Sequence, residues 1–358
     1  MDERLLNLGI TDSYVQEAAR YDGLFLGRVV TQHKDLYKVA SLKGEVVAEI
    51  SGRLRYNPDA DPAGYPAVGD FVMIDRTDNE TGHAIIQHVL TRKSIFLRKA
   101  AGTKNIVQVI VANIDTVFIC MSLNNDFNLR RLERYLSIAW SSGAIPVLVL
   151  TKSDLCEDIN DKLSEVEAIA PGVDVLVTSS MQDGYKSLLK YITNGQTVAF
   201  IGSSGVGKST LINRLLGGEY IQTAEIRKDD KGRHITTRRE LFMIPTGGAV
   251  IDTPGMRELG VENVDLSKSF SEIDELADSC RFKDCQHESE PGCAVRKAVE
   301  DGIISDDRLK SYKKLKKEAK YDGLSYRQIE KEKINTMFSG FGGMKNARNF
   351  IKIKNKDK

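Results

Sequence analysis

Gly202-Ser203-Ser204-Gly205-Val206-Gly207-Lys208-Ser209 stands between the apolar run TVAFI and the amphipathic run STLINRLL. A G-x-x-x-x-G-K-S segment leaving a strand and entering a helix is a phosphate-binding loop: its glycines let backbone N–H groups close around phosphate oxygens. The helix N-terminus adds a favourable field for negative charge. Lys208 is placed to reach the outer phosphates, the Ser209 hydroxyl to ligate Mg²⁺, and Thr210 completes the turn. Such a loop requires an α/β sheet around it, and that constrains the rest of the chain.

The surrounding rhythm agrees. From Val107 onward strands and helices alternate: TVFICMS, a helix from Leu129 to Trp140, IPVLVLT, a helix near Asp158–Ile169, VDVLVT, a helix near Tyr185–Ile192, and TVAFIG. Nearly uninterrupted apolar strands indicate a mostly parallel sheet covered on both faces. LFMIPTGGAVID reads as a hairpin turning at Thr246, Gly247 and Gly248. Ahead of this region, FLGRVV, LYKVA, EVVAEI, DFVMI and AIIQHVL are short alternating runs broken by Gly, Asp and Pro, as in a small all-β barrel of the OB type. The expected division is a leader helix over 1–23, the β-barrel over 24–106, the nucleotide domain over 107–270, and a helical metal-binding domain with a basic tail over 271–358.

A phosphate loop does not choose the base. Thr151-Lys152-Ser153-Asp154 follows IPVLVL, where a carboxylate can accept together from the guanine ring N–H and its exocyclic amine, a donor pair adenine lacks. The Lys152 stem would lie along the base, and Thr178-Ser179-Ser180, after VDVLV, could offer backbone N–H to the guanine carbonyl. Downstream, Asp252-Thr253-Pro254-Gly255 closes the strand AVI, which suits a carboxylate on Mg²⁺ through water and a Gly255 N–H on the γ-phosphate. Between them Gly232-Arg233-His234-Ile235-Thr236-Thr237-Arg238 has the character of a loop that orders on γ-phosphate and Mg²⁺, with Thr237 or Thr236 as the metal ligand.

The order TKSD, TSS, GSSGVGKS, GRHITT, DTPG is a circular permutation of the usual GTPase order, which begins at the phosphate loop. With a β-barrel before it and a Cys/His cluster after it, the chain resembles the ribosome small-subunit-dependent GTPase A family over about Leu24 to Ala298. The resemblance implies an OB-fold, a permuted GTPase domain and a zinc domain. It also implies GTP hydrolysis stimulated by the small (30S) ribosomal subunit late in that particle's maturation. Two positions depart from the family pattern. Ile235 replaces the first Thr of GRHTTT, and Thr151 stands where many GTPases have Asn, which predicts weaker hydrogen bonding inside the site.

Met256 follows the DTPG glycine, where a Gln orients the attacking water in Ras-like enzymes. A thioether does not position water, so slow intrinsic turnover is expected, with the polar group coming from elsewhere. His234, on the loop expected to close over the γ-phosphate, is the candidate, and the resemblance points to the same residue.

Cys280, Cys285, His287 and Cys293 form C-x4-C-x-H-x5-C, with Pro291-Gly292 turning the chain before the last. Three thiols and an imidazole make a closed tetrahedral zinc site, structural in role because no coordination position is left open. Cys120 and Cys156 read as a core residue and a helix-start residue.

The formal charge of +1 conceals a polarity. From Arg308 to Lys358 Lys and Arg exceed Asp and Glu by 11, leaving residues 1–307 at −10. Leu309, Tyr312 and Leu315 recur at helical spacing among these cations, which suit contacts to RNA phosphates. The start MDERLLNLGI lacks the basic end and long apolar core of a secretory signal, and no apolar run approaches the roughly 18 residues of a spanning helix. A cytoplasmic monomer using GTP/GDP, Mg²⁺ and one Zn²⁺, bound to small-subunit rRNA and not to a membrane, is expected. The rival reading is a nucleotide-gated RNA-binding module with incidental turnover.

Overall fold

The computed structural model describes residues 6–56, 64–99, 107–179, 183–221, 239–252 and 266–320. Its organising element is β1 (Phe25–His33). Along one edge β1 pairs antiparallel with β2 (Leu36–Ser41), which continues into β3 (Gly44–Ile50). Its other edge is shared. Residues Phe25 to Arg28 pair with β4 (Phe71–Ile74), whereas Thr31 and Gln32 pair with β12 (Arg239–Met243). A register shift between Val29 and Thr31 lets β1 bend from one partner to the other, as bulges do.

With β5 (Ala84–Val89) antiparallel to β4 and parallel to β3, the order 1-2-3-5-4-1 closes a five-stranded barrel. The parallel closure by β3 and β5 agrees with the expected OB-type barrel. Its interior is apolar: Val29, Val39, Ala48, Val72, Ile74 and Ile86 are fully buried. The leader covers the barrel. Ile10 and Tyr14, the latter on α1 (Asp12–Ala18), pack with Phe71, Met73 and Leu90. Arg28, 1 % exposed, donates to the carbonyls of Leu8, Gly69 and Asn113 and to Thr197 Oγ1, so one guanidinium joins leader, barrel and nucleotide domain. β6 (Ile95–Lys99) and β7 (Val107–Ala112) form a separate antiparallel pair, with one strand on each side of the expected 106/107 boundary.

The nucleotide domain orders its strands β10 (Asp174–Val177), β9 (Ile145–Thr151), β8 (Thr116–Ser122), β11 (Thr197–Gly202), β13 (Ala249–Asp252), β12. All neighbouring pairs are parallel except β12–β13, the expected hairpin. Every residue of β8 and β11 is buried, as strands covered on both faces require. The chain runs outward from β8 to β10, then returns to place β11 on the other side of β8. Crevices at such reversals, beyond the carboxyl ends of the strands, hold ligands in open α/β sheets.

Helices follow the expected segments. α3 (Leu129–Ser142) is capped by Asn128, whose side chain accepts from Arg131 N–H at 2.9 Å. α4 (Ile159–Ile169) and α5 (Lys208–Leu216) cover the sheet, preceded in chain order by the short α2 (Gly52–Tyr56) in the barrel. The segment near Tyr185–Ile192 is a 3-10 helix, Asp183–Tyr191, and not a regular α-helix. Beyond residue 266, α6 (Ser271–Ala277), α7 (Ala294–Glu300) and α8 (Asp306–Lys320) build a small core of their own from Phe270, Ile273, Val295, Leu309, Tyr312 and Leu315.

The helical spacing of Leu309, Tyr312 and Leu315 agrees with this core. The first part of the basic segment, through Lys320, is helix α8 with one face buried in the C-terminal core, and Arg308 is 6 % exposed. The rest of the tail, from 321, lies outside the described residues. Among the described residues no helix is long and apolar enough to cross a membrane.

Candidate nucleotide site and metal centre

The phosphate loop leaves the C-terminal end of β11 and enters α5 through Gly207, which caps the helix in the left-handed region at φ 102°. Gly202 has φ 147°, and a Cβ there would sit 2.4 Å from the Cys120 carbonyl of the neighbouring β8, so only glycine fits. Val206 is buried beneath the loop, Ser204 and Gly205 are exposed, and Ser203, Gly207, Lys208, Ser209 and Thr210 are half-buried. Lys208 Nζ donates to the carbonyls of Gly202 (2.9 Å) and Ser203 (2.6 Å), which holds the ammonium against the loop's own backbone.

Thr151 ends β9, two strands away. Its hydroxyl donates to the carbonyl of Val206 at 2.6 Å and lies 3.4 Å from that of Met121. Thr at this position thus still joins the two loops. The shorter side chain reaches the phosphate loop directly and is buried at 3 % exposure. Lys152 occupies the left-handed region at φ 58°, a conformation strained for a side chain with a Cβ, and it turns the chain into the 3-10 turn Ser153–Leu155.

Asp154 is exposed, and its Oδ1 accepts from Ser179 Oγ at 2.5 Å, which orients the carboxylate expected to read guanine. Ser153 N–H donates to the Thr178 carbonyl at 3.3 Å, so the two base-directed loops are also joined through backbone. Thr178 N–H is committed to the Leu150 carbonyl at 2.8 Å. Thr178 Oγ1 is buried without a hydrogen-bond partner among the described residues. Ser180 lies outside the described residues.

Asp252 closes β13, and Ser209 lies in the first turn of α5, which the phosphate loop joins to the neighbouring parallel strand β11. Two oxygen donors beside a phosphate loop are the hard ligands Mg²⁺ takes. Thr236, Thr237, His234, Gly255 and Met256 lie outside the described residues. Cys120 is fully buried and its thiol is pushed up to about 12 by that burial, in keeping with a core residue.

One contact escaped the sequence reading. Asp126, in the loop between β8 and α3, accepts from Ser203 Oγ at 2.6 Å and from Arg131 at 2.8 Å. The Ser203 bond, with Arg131 adding to it and partial burial opposing, holds the Asp126 carboxyl below the usual range. The signal was positional: a loop at the carboxyl end of β8 flanks the reversal between β8 and β11.

In the C-terminal module the four metal candidates converge, with their ligand atoms all within 4.8 Å of one another. Cys280 Sγ is 3.7 Å from His287 Nδ1 and 3.9 Å from Cys293 Sγ, while Cys293 Sγ is 3.5 Å from His287 Nδ1. A tetrahedron built on Zn–S bonds of about 2.3 Å has edges of about 3.8 Å, so the donor set fits zinc. A disulfide is excluded, since the cysteines are free and S–S bonding needs about 2.05 Å. The backbone cooperates: Arg281 N–H donates to the Gly292 carbonyl, and Cys293 Sγ caps α7 by accepting from Arg296 N–H at 3.4 Å. Lys313 of α8 donates to the His287 carbonyl at 2.7 Å.

The module is fastened to the nucleotide domain by a buried ion network. Arg308 bonds Glu133 of α3 at 2.9 Å, Glu272 of α6 and the Ser269 carbonyl at 2.8 Å, and stacks 4.8 Å over the Phe270 ring. Glu133, with no exposed surface, also accepts from Arg130. Nearer the solvent, Arg134 pairs with Glu318 at 2.8 Å.

A base-directed loop that precedes the phosphate loop in the chain but hydrogen-bonds to it in space defines the class: a circularly permuted P-loop GTPase. Residues 89–262 match the family described as RsgA GTPase. A protein of Lactiplantibacillus plantarum, "Small ribosomal subunit biogenesis GTPase RsgA 2", is 50% identical over 351 residues, covering 97% of this chain and 98% of the relative. "Small ribosomal subunit biogenesis GTPase RsgA" of Methanosarcina acetivorans is 44% identical over 326 residues, 88% of this chain and 87% of the relative. Among solved structures, YjeQ from Thermotoga maritima aligns with a TM-score of 0.59 at 29% identity, covering 82% of this chain and 97% of that one. YloQ, titled a circularly permuted GTPase, aligns with a TM-score of 0.59 at 25% identity over 85% and 98%. The chain belongs to the RsgA GTPase family.

Proposed function

We propose that this GTPase acts in the cytoplasm as a late maturation factor of the small ribosomal subunit, engaging rRNA in its GTP state and leaving after subunit-stimulated hydrolysis. The observation that carries the reading is the end-to-end likeness to relatives named for small-subunit biogenesis, at 50% identity over 97% of the chain. The barrel, the nucleotide domain and the C-terminal module are all inside that match.

Within the site, Asp154 and the Ser179–Ser180 backbone select guanine, the phosphate-loop N–H groups and Lys208 neutralise the phosphates, and Ser209 with Thr237 or Thr236 would hold Mg²⁺. When bound there, Mg²⁺ would supply charge neutralisation to the phosphates. His234 is our candidate for orienting the attacking water, a role the thioether of Met256 does not fill, and Gly255 N–H is the candidate donor to the γ-phosphate. Cys280, Cys285, His287 and Cys293 would hold a Zn²⁺ that supports the fold of the C-terminal module and takes no part in the chemistry.

GTP turnover measured with and without purified small subunits tests the reading. It expects stimulation of at least about tenfold that declines steeply with salt, as phosphate-contacting complexes do. Unchanged turnover with retained, nucleotide-dependent RNA binding would instead favour the RNA-binding module. His234→Ala should remove the stimulated rate; loss of GTP affinity with stimulation intact would overturn that residue's role.

A further inference from the structure

A rigid element runs from the phosphate loop to the zinc module, and it is α3. At one end, Asp126 accepts from Ser203 Oγ, and the Ser203 carbonyl in turn accepts from Lys208 Nζ at 2.6 Å. Asp126 thereby fixes the segment that aims the phosphate-neutralising lysine. Arg131, in the first turn of α3, bonds the same carboxylate oxygen, so the carboxylate is held by the helix as well as by the loop. Within the next turn, two and three residues on and roughly 3–5 Å along at 1.5 Å per residue, Glu133 and Arg134 face α8 and bond Arg308 and Glu318. Arg308 also bonds Glu272 on α6, and Lys313, further along α8, bonds the His287 carbonyl of the metal loop.

From these contacts we infer that Asp126 is a positioning residue for Lys208, and that α3 couples its placement to the seating of the C-terminal module through Glu133–Arg308 and Arg134–Glu318. The physical basis is stiffness. A 14-residue helix capped by Asn128 moves as a body, so a tilt imposed at Glu133 displaces Arg131 and with it the Asp126–Ser203 bond. The route uses only described residues and is separate from the DTPG segment. As an account of regulation it rests on the proposed role at the small subunit, because a docked partner is what would reseat the module.

The test needs no partner. Turnover of GTP and release of a fluorescent GDP analogue are measured for the full-length protein and for Asp126→Ala, Asp126→Asn, Glu318→Ala and Arg308→Lys, singly and with Asp126→Ala. Asp126→Ala should lower kcat about tenfold while leaving the preference for GTP over ATP unchanged. Asp126→Asn, whose carboxamide oxygen still accepts from Ser203, should recover most of that loss. A residue that only stabilised the fold would show no such rescue at matched thermal stability.

Glu318→Ala, at a partly exposed pair, and Arg308→Lys should each speed analogue release about threefold or more alone, but add little on top of Asp126→Ala. Separate sites would multiply their effects to within about twofold, and that result overturns the coupling. Wild-type kcat in Asp126→Ala, or an Asn variant as impaired as Ala, overturns the positioning role. If small subunits fail to stimulate the wild type, the proposed function fails while these measurements still decide the inference.

Discussion

Thr151 Oγ1 donates to the carbonyl of Val206 at 2.6 Å, and through that bond the loop directed at the base and the loop directed at the phosphates hold one register. Val206 is 1 % exposed, so its carbonyl has little access to solvent as a substitute partner. Thr151→Val keeps the shape and removes the donor. An orphaned buried acceptor costs about 1–3 kcal/mol, and GTP affinity is expected to fall about tenfold, measured by titration of a fluorescent analogue.

Asp154 is oriented by Ser179 and faces solvent. Asp154→Asn presents an amide donor to the guanine ring N–H and amine, which are donors themselves. GTP affinity should drop about a hundredfold, with no matching change for ATP, and XTP, which carries a carbonyl in place of the amine, should bind better than to the wild type. Equal losses for GTP and ATP would remove Asp154 from base recognition.

Arg308 serves three acceptors in a buried setting. Arg308→Ala leaves the buried Glu133 with Arg130 as its remaining cationic partner, and removing one partner of a buried pair costs up to about 3–5 kcal/mol. Urea denaturation of the C-terminal module should shift accordingly. Glu133→Gln, which keeps an acceptor for the guanidinium, should cost clearly less.

Cys293 is both metal candidate and cap of α7. Cys293→Ala should abolish bound zinc, read by elemental analysis, and lower the melting temperature of the module. Exchange protection at the backbone of α7 should fall with it, while Thr151 and the phosphate loop keep theirs.

Asp126 also makes a pH prediction. Its folded pKa is lowered, so its contribution to stability is present above the unfolded value of about 4 and is lost as pH falls through the folded value. Between pH 6 and 8 the carboxylate is fully charged and adds no inflection to the intrinsic rate. The difference in melting temperature between wild type and Asp126→Asn should shrink only below about pH 4.

Much of this was legible because local chemistry dictated it. The phosphate loop announces itself through glycines that no other residue can replace at Gly202 and Gly207, and the parallel strands through their uninterrupted apolar runs. The convergence of Cys280, Cys285, His287 and Cys293 followed from spacing and donor type. What stayed hidden depends on contacts between segments far apart in the chain. Arg308 read as one cation among many until Glu133, 175 residues away, was seen to bury it. Asp126 sits in a polar loop whose composition is unremarkable, and only the return of β11 beside β8 makes it a neighbour of Ser203. The 3-10 form of Asp183–Tyr191 likewise has no marker in its amphipathic pattern.

The shared edge of β1 has a consequence for how the chain is made. Thr31 finds its partner Glu240 only after about 200 further residues have left the ribosome, which at 5–20 residues per second is about 10–40 s. The barrel strands are complete by Val89, so for that interval a nascent barrel carries an open half-edge at Thr31 and Gln32. Two ladder positions are too few to template a foreign strand, and the bulge beside them turns the edge aside. The sheet of the domain that receives the nucleotide is thus continuous with the barrel only once β12 has emerged, with β13 following it in the chain.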